Sequence, residues 1–300
     1  MYDTGLEWII GAFGRMPRET DITYKTLLVH VDDSDRCLHQ VEAASRIACQ
    51  FDACLVGVYL VQTPELTPSV SALLPDTIVH QRLADSGEAQ QRAEANFRAA
   101  ATGTGLSKIE WRAPAGDPKH AITAHARGAD LAVIGQPEPA AADAPFVVGL
   151  ADAAILGSGR PVLVIPYIGT QGPIGDTVLI ALDRSRESAR AVADALPLLA
   201  RARKVVIASI TAAATETLGD TQARTQVVAH LRGHGIDAEL HHLDVPDMAI
   251  GELLLSQAAD LGVDLIVMGA YGHARFQELV LGGVTRTMLE AMTVPVLMSH

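Results

Sequence analysis

The chain repeats one pattern of strands and helices, and this internal repeat constrains its fold more than any other feature. KTLLVHVDDSDRC from Lys25 and DTVLIALDRSRES from Asp176 each predict an apolar strand that ends in aspartate, followed by a polar turn and a helix. Further along, GADLAVIG from Gly128 matches GVDLIVMG from Gly262, and RPVLVIP matches VPVLMSH. The sequence therefore predicts two modules of one fold in a single chain.

The spacing of matching residues locates an insertion in the first copy. Asp183 follows Asp32 by 151 residues, whereas Asp264 follows Asp130 by 134. The 17 extra residues fall in VQTPELTPSVSALLPDTIVHQRL, a connection rich in proline and serine after the second predicted strand. We therefore expect three segments, the last two joined by the glycine-rich linker IGTQGPIGD: an N-terminal arm (1–21), a first module (22–168) and a second module (174–300).

Five strand patterns alternate with helical patterns in each copy, and the strands are nearly continuous runs of valine, isoleucine and leucine. Aromatic residues make up only 4% of the chain, while 49% of its residues are hydrophobic. These features are typical of a parallel sheet with helices on both faces. We predict an α/β protein of two tandem flavodoxin-like or Rossmann-like modules, each with a five-stranded parallel sheet. In such modules, ligands bind beyond the C-terminal ends of the strands.

Charge and composition indicate which partners to expect. The net charge of −12 disfavours nucleic acids and anionic membranes, because both repel an acidic protein. No apolar stretch is long enough to span a bilayer, and the first residues lack the basic start and cleavage site of a signal peptide. The three cysteines do not have the close spacing of a metal site. We expect a cytoplasmic protein with no metal-ligating residues.

The segment GAYGHARFQELVLGGVT, from Gly269 to Thr285, has an unusual placement of glycines. Gly269 ends the fourth strand of the second copy, so the segment lies at the predicted ligand edge. Near Gly282 it opens the last helix, whose N-terminal N–H groups and partial positive charge favour a phosphate. Glycines let a backbone approach phosphate oxygens closely. Read alone, such glycine pairs are more often a plain tight loop than a phosphate site, and both alternatives stay open at this point.

The pattern G-x2-G-x9-G, followed by Gly-Val-Thr, resembles the nucleotide-binding signature of the universal stress protein family. The aspartates that end the first strand in LVHVDDS and IALDRS, and the paired strands above, are similar to that family too. The resemblance covers the chain from Lys25 onward, twice. It implies a stress-response protein that binds ATP or ADP, with or without Mg²⁺, and either sequesters the nucleotide or signals to an unidentified protein partner.

The resemblance also implies roles for individual residues in the second module. It assigns the adenosine contacts to Asp183 and Ile210, at the ends of the first and second strands, and the ribose and phosphate contacts to the glycine segment. We add Arg275 because its positive charge suits a phosphate, although an exposed polar loop explains it as well. Where the family often has serine after the third glycine, this chain has Gly283. The candidate residues are Asp183, Ile210, Gly269, Gly272, Arg275, Gly282, Gly283 and Thr285.

The first copy departs from the family pattern in its phosphate half. After Gly135 it reads QPEPAAADAPFVVGLADAAIL, with Glu138 where the second glycine is expected. A negative side chain near a helix N-terminus repels phosphate. We therefore expect one nucleotide per chain, with the first module as a structural partner. By the same resemblance, PVLVIP and PVLMSH are expected to pair as an intramolecular pseudo-dimer, and the whole chain can form a homodimer.

Two other functions stay open. The chain can be a nucleotide-free scaffold that acts through protein partners, or a slow adenine-nucleotide hydrolase. No nucleophile elbow, Walker lysine, CxxC or HExxH motif is present. The loop that is rich in serine and glycine in ATP-pyrophosphatases reads DDSDRC and DRSRES here. No catalytic residue is assigned.

Overall fold

A computed structural model describes residues 23–34, 36–61, 76–137, 149–170, 172–183, 185–210, 218–243, 249–272 and 283–300. The strands are β1 (Thr26–Val31), β2 (Cys54–Tyr59), β3 (Ile109–Arg112), β4 (Leu131–Gly135), β5 (Val162–Ile165), β6 (Thr177–Leu182), β7 (Lys204–Ile210), β8 (Ala238–Leu243), β9 (Leu265–Gly269) and β10 (Val296–Ser299). The helices are α1 (Cys37–Phe51), α2 (Asp76–Gly103), α3 (Pro118–Ala126), α4 (Leu150–Ser158), α5 (Arg186–Leu199), α6 (Leu218–Gly233), α7 (Ile250–Asp260) and α8 (Gly283–Ala291).

The ten strands form one sheet in the order β3-β2-β1-β4-β5-β10-β9-β6-β7-β8. Each half has the order 3-2-1-4-5, which is the Rossmann-like arrangement of the two predicted. Neighbouring strands within each half run parallel. The halves meet where β5 and β10 pair antiparallel, with Leu297 opposite Leu163. The predicted pairing of the two last strands within one chain is therefore present.

Apolar side chains on both faces of the sheet explain why the strands lack a polar side. In β1, Leu27 and Val29 pack in the layer beneath α1, α2, α5 and α6, while Leu28 packs in the opposite layer with α3, α4, α7 and α8. Each layer contains residues of both modules. A sheet that buries both faces in this way is typical of parallel α/β proteins, and it leaves the strand ends to carry polar groups.

The expectations about membrane spans, the N-terminal arm and the insertion concern other parts of the chain. No helix among the described residues is both long and apolar enough to cross a membrane. The N-terminal arm and most of the predicted insertion lie outside the described residues.

Candidate functional site

The C-terminal ends of β6 and β9 lie side by side in the second module. The two strands pair in parallel, with Ala181 opposite Met268. This register places Asp183, which follows β6, next to Gly269, which ends β9. It also places the candidate residues at the edge of the sheet where ligands of doubly wound proteins bind.

Asp183 forms a tight turn that begins α5. Its Oδ1 atom accepts hydrogen bonds from the backbone N–H of Ser185 at 2.8 Å and from the Ser185 hydroxyl. The Ser185 hydroxyl oxygen in turn accepts from the N–H of Ser188 at 3.0 Å and caps the helix. The Asp183 side chain stays exposed to solvent at the sheet edge. The turn thus fixes the position of the carboxylate before any ligand arrives.

The first module contains the same turn. Asp32 Oδ1 accepts from the N–H of Ser34 at 2.9 Å and from its hydroxyl. These residues precede Asp183 and Ser185 by the same 151 positions. Ser185 is not among the candidate residues of the sequence analysis. The D-x-S spacing that both modules share could have identified it.

Gly269 packs against the backbone at the start of α5. A Cβ atom at this position would lie 2.5 Å from the nitrogen of Ser188 and 2.7 Å from the carbonyl carbon of Glu187. Both distances are too short for any side chain. Packing between β9 and α5 is therefore enough to require glycine here, whether or not a ligand also approaches.

Gly272 lies over the Asp183 turn. A Cβ atom on Gly272 would be 3.0 Å from Ser185 Oγ and 3.1 Å from Glu187 Oε2. The residue with a left-handed backbone in this segment is Tyr271, with φ of 60°. The segment 269–272 therefore covers the first turn of α5, and it brings the two candidate glycines close to Asp183.

Thr285 is joined to the same segment. It is buried in the first turn of α8, and its Oγ1 atom accepts from the N–H of Tyr271 at 3.4 Å. Gly283, the first residue of α8, is exposed, and no described atom lies within 4 Å of its Cβ position. Ile210 ends β7, where it pairs with Leu243. The side chain of Ile210, and the whole of Arg275 and Gly282, lie outside the described residues.

Glu187 adds a negative charge that sequence reasoning missed. Its side chain is buried beneath Gly272, and its Oε1 atom accepts from Arg186 Nε at 2.6 Å. Burial acts to raise the pKa of Glu187, but hydrogen bonds from Arg186 and from its own backbone N–H, together with the charge of Arg186, outweigh burial and hold this pKa below its usual value. Glu187 is therefore ionised at neutral pH, where it opposes a bare phosphate at the loop.

The equivalent edge of the first module is partly filled. Gln40 donates from Nε2 to the carbonyl oxygen of His30 at 2.7 Å, and its Oε1 atom occupies the place that a Cβ atom of Gly135 would need. The matching residue in the second module is Ala191, which has no such side chain. The cleft beside Gln40 has a volume of about 40 Å³. Gln40 thus narrows the edge of the first module where the second module has only a methyl group.

Metal binding has little support in the described ranges. No group of three or more histidine, cysteine, aspartate or glutamate side chains in those ranges could hold a metal ion.

Comparison with known proteins agrees with this architecture. The model of the universal stress protein family matches residues 23–166 and again residues 175–300. A universal stress protein of Synechocystis sp. is 31% identical over 86 residues. That match covers 27% of this chain and 30% of the relative, so it spans less than a third of the relative's length.

Solved structures share the fold across both modules. A universal stress protein from Archaeoglobus fulgidus has a TM-score of 0.70 at 16% identity, covering 91% of this chain and 97% of that chain. A putative universal stress protein from Pseudomonas aeruginosa has a TM-score of 0.53 at 14% identity, covering 92% of this chain and 93% of that chain. Identities this low establish a common fold and leave function to be argued from the site.

Proposed function

The chain belongs to the universal stress protein family, and from that membership we propose that its second module binds one adenine nucleotide, ATP or ADP. The observation that carries the proposal is the contact of the segment 269–272 with the turn of Asp183. The exposed carboxylate and the glycine segment stand at one edge of the sheet, where an adenosine group and its phosphates would lie side by side.

The roles proposed for the candidate residues are those that the family resemblance implies. Asp183 accepts hydrogen bonds from the ribose or the base, and Ile210 lines the adenine slot at the end of β7. The backbone from Gly269 to Gly272 approaches the ribose and the first phosphate. The last phosphates lie near the start of α8, where N–H groups and the helix dipole favour anions. The proposed phosphate contacts are Arg275, Gly282, Gly283 and Thr285.

The negative charge of Glu187 must be compensated if a nucleotide is to bind beside it. An ionised carboxylate beneath Gly272 weakens binding of a polyphosphate unless positive charge compensates for it. Arg186 supplies part of that charge through its ion pair with Glu187. A nucleotide that binds as its Mg²⁺ complex would supply the rest. The same carboxylate favours the second candidate function, a nucleotide-free scaffold that acts through a protein partner.

The first module serves as a structural partner in this proposal. Gln40 occupies its strand edge, so only the second module takes a nucleotide. We propose module boundaries at 22–168 and 174–300, after an arm at 1–21. The nucleotide-bound chain would act in the cytoplasm, alone or as a homodimer, and would pass its state to a protein partner.

Calorimetric titration of the full chain with Mg²⁺-ATP tests the proposal. We expect a stoichiometry near one and loss of binding in Gly272→Glu, whose Cβ atom would lie 3.0 Å from Ser185 Oγ and 3.1 Å from Glu187 Oε2 and whose carboxylate would add a second negative charge. Gly87→Glu is the matched control, because it adds the same charge on an exposed face of α2 with no described atom within 4 Å of its Cβ position. It should bind as the wild type does.

The alternatives give different results in the same experiment. No heat of binding, together with no nucleotide in mass spectra of the purified protein, would support the scaffold function. A stoichiometry near two would show that the first module also binds. Release of phosphate from labelled ATP would indicate a hydrolase.

A further inference from the structure

Tyr271 has a backbone conformation that residues with a Cβ atom rarely adopt. Its φ of 60° lies in the left-handed region, where the side chain crowds the following carbonyl group. Such a conformation persists when several contacts of the surrounding structure hold it. The residue stands inside the candidate nucleotide segment, between Gly269 and Gly272, so whatever holds Tyr271 also shapes that segment.

Contacts from separate elements hold Tyr271. Its backbone N–H donates to Thr285 Oγ1 at 3.4 Å, and its ring lies edge-on to His300, with 6.3 Å between ring centroids. The imidazole Nδ1 of His300 is 3.0 Å from the carbonyl oxygen of Ala270. The phenol donates a hydrogen bond to Asp152 Oδ1. Thr285, His300 and Ala270 belong to the second module, but Asp152 does not.

Asp152 belongs to the first module, in the first turn of α4. The bond to Tyr271 joins residues 119 positions apart and crosses the line where the modules meet. Both side chains are half-buried there. Burial, and then the hydrogen bond and charge of Asp152, raise the pKa of Tyr271 above its usual value, so the phenol stays protonated and keeps donating. Hydrogen bonds to an ionised acceptor are stronger than those between neutral groups.

We propose that Asp152 of the first module is a positioning residue for the nucleotide segment of the second module. Through Tyr271, Asp152 holds the segment 269–272 in the shape that faces the ribose and phosphates. The second module's site is then complete only in the tandem chain. The predicted effect of Asp152 on nucleotide affinity rests on the proposed function. Its predicted effect on the conformation of the segment 269–272 does not.

The expected size of the effect follows from the populations of loop conformations. If loss of the Asp152 bond leaves the segment in the bound shape only a tenth of the time, ATP affinity falls about tenfold. Adenosine lacks the phosphates that meet this segment, so its affinity should fall less. A role limited to general stability would weaken both ligands equally or neither.

Four single variants and the double variant Asp152→Ala/Tyr271→Phe test the inference in the full chain, by hydrogen exchange without nucleotide and by calorimetry with ATP and adenosine. Asp152→Ala and Tyr271→Phe both remove the bond, whereas Asp152→Asn keeps an acceptor in place. Gln136→Ala is the control, because it removes a different bond between the modules, from Gln136 Nε2 to the carbonyl oxygen of Leu289 at 2.9 Å.

We expect Asp152→Ala and Tyr271→Phe to speed amide exchange in the segment 269–272 about tenfold and to weaken ATP more than adenosine. The double variant should match either single one, and Gln136→Ala should resemble the wild type. Asp152→Asn, whose neutral acceptor makes a weaker hydrogen bond, should lie between the wild type and Asp152→Ala. Unchanged exchange in both Asp152→Ala and Tyr271→Phe would overturn the inference. Stronger ATP binding in both Asp152→Ala and Asp152→Asn would also overturn it, since repulsion by the carboxylate would then dominate. If the wild type binds no ATP, the proposed function fails, and the exchange rates still decide the role of Asp152.

Discussion

The backbone nitrogen of Ser188 lies 2.5 Å from the point where a Cβ atom of Gly269 would stand. The end of β9 therefore touches the first turn of α5 through bare backbone. This contact sets how closely the glycine segment approaches the turn of Asp183, and it gives Gly269 a packing role that is independent of any ligand.

Gly269→Ala should destabilise the protein by about 1–3 kcal/mol, because the added methyl group forces β9 and α5 apart. Denaturant unfolding measures this loss as a lower midpoint at an unchanged slope. Gly283→Ala is the control, since no described atom lies within 4 Å of its Cβ position and alanine favours a helix. Equal stability of Gly269→Ala and the wild type would show that α5 can move away without cost.

Much of this architecture is predictable from the sequence because it depends on local patterns. Apolar runs predict the strands. The internal repeat, in which Asp183 corresponds to Asp32, predicts two modules of one topology. The pairing of β5 with β10 is implied by the family resemblance, and the apolar composition of the two last strands agrees with it. The strand ends then place Asp183 and Gly269 together without any knowledge of side-chain positions.

The contacts between distant segments are not predictable in the same way. Glu187 faces Gly272 only because α5 is rotated so that its second residue points under the loop. Tyr271 meets Asp152 across the junction of the two modules, although 119 positions separate them in the chain. Neither relationship has a periodic signal in the sequence. For Gly269, the sequence shows a glycine but does not show that neighbouring backbone excludes every other residue.

Gly283→Ser should strengthen ATP binding. The substitution restores the hydroxyl that the family pattern often has at the start of α8, and the site has room for it within the described residues. One added hydrogen bond contributes about 0.5–1.5 kcal/mol, which is roughly a twofold to tenfold gain in affinity. Calorimetry against Gly283→Ala separates the hydroxyl from the change in helix propensity. If serine and alanine give the same affinity, the hydroxyl does not reach the phosphates.

Glu187→Gln should raise the affinity for ATP, because it removes an ionised carboxylate from beneath Gly272. Repulsion of about 1 kcal/mol across a partly screened site corresponds to roughly a fivefold change. Adenosine, which has no charge, should bind as before. Glu42→Gln, an equal change of charge on an exposed face of α1, controls for net charge. Weaker ATP binding in Glu187→Gln would mean instead that the carboxylate contacts the ligand or its Mg²⁺.

Glu187 should also contribute to the pH dependence of stability. Its pKa in the folded protein lies below the usual value of 4.5, so the folded state favours the ionised form. This contribution is present above about pH 4.5 and is lost as the pH falls through the folded-state pKa. Thermal unfolding between pH 3 and 6 should therefore show a steeper acid loss in the wild type than in Glu187→Gln. If the two variants lose stability in parallel as the pH falls, solvent screens Arg186, which is 84% exposed, too well for its ion pair to stabilise ionised Glu187.

Asp183→Leu and Asp32→Leu compare the two modules through one shared turn. Both aspartates accept from a serine N–H two residues later, at 2.8 Å for Asp183 and 2.9 Å for Asp32. Each substitution should therefore destabilise the protein by a similar amount, about 1–3 kcal/mol, because the serine donors lose their acceptor.

Nucleotide binding should separate these two variants. If Asp183 accepts hydrogen bonds from the ribose or base, Asp183→Leu should lose roughly tenfold to a hundredfold in affinity. ATP and ADP should be weakened alike, since the γ-phosphate does not take part. Asp32→Leu should bind as the wild type does, because Gln40 fills the edge beside Gly135 in that module. Calorimetric titration of both folded variants measures the difference. Equal losses of affinity would mean that the two modules share one site, and the assignment of the nucleotide to the second module alone would be wrong.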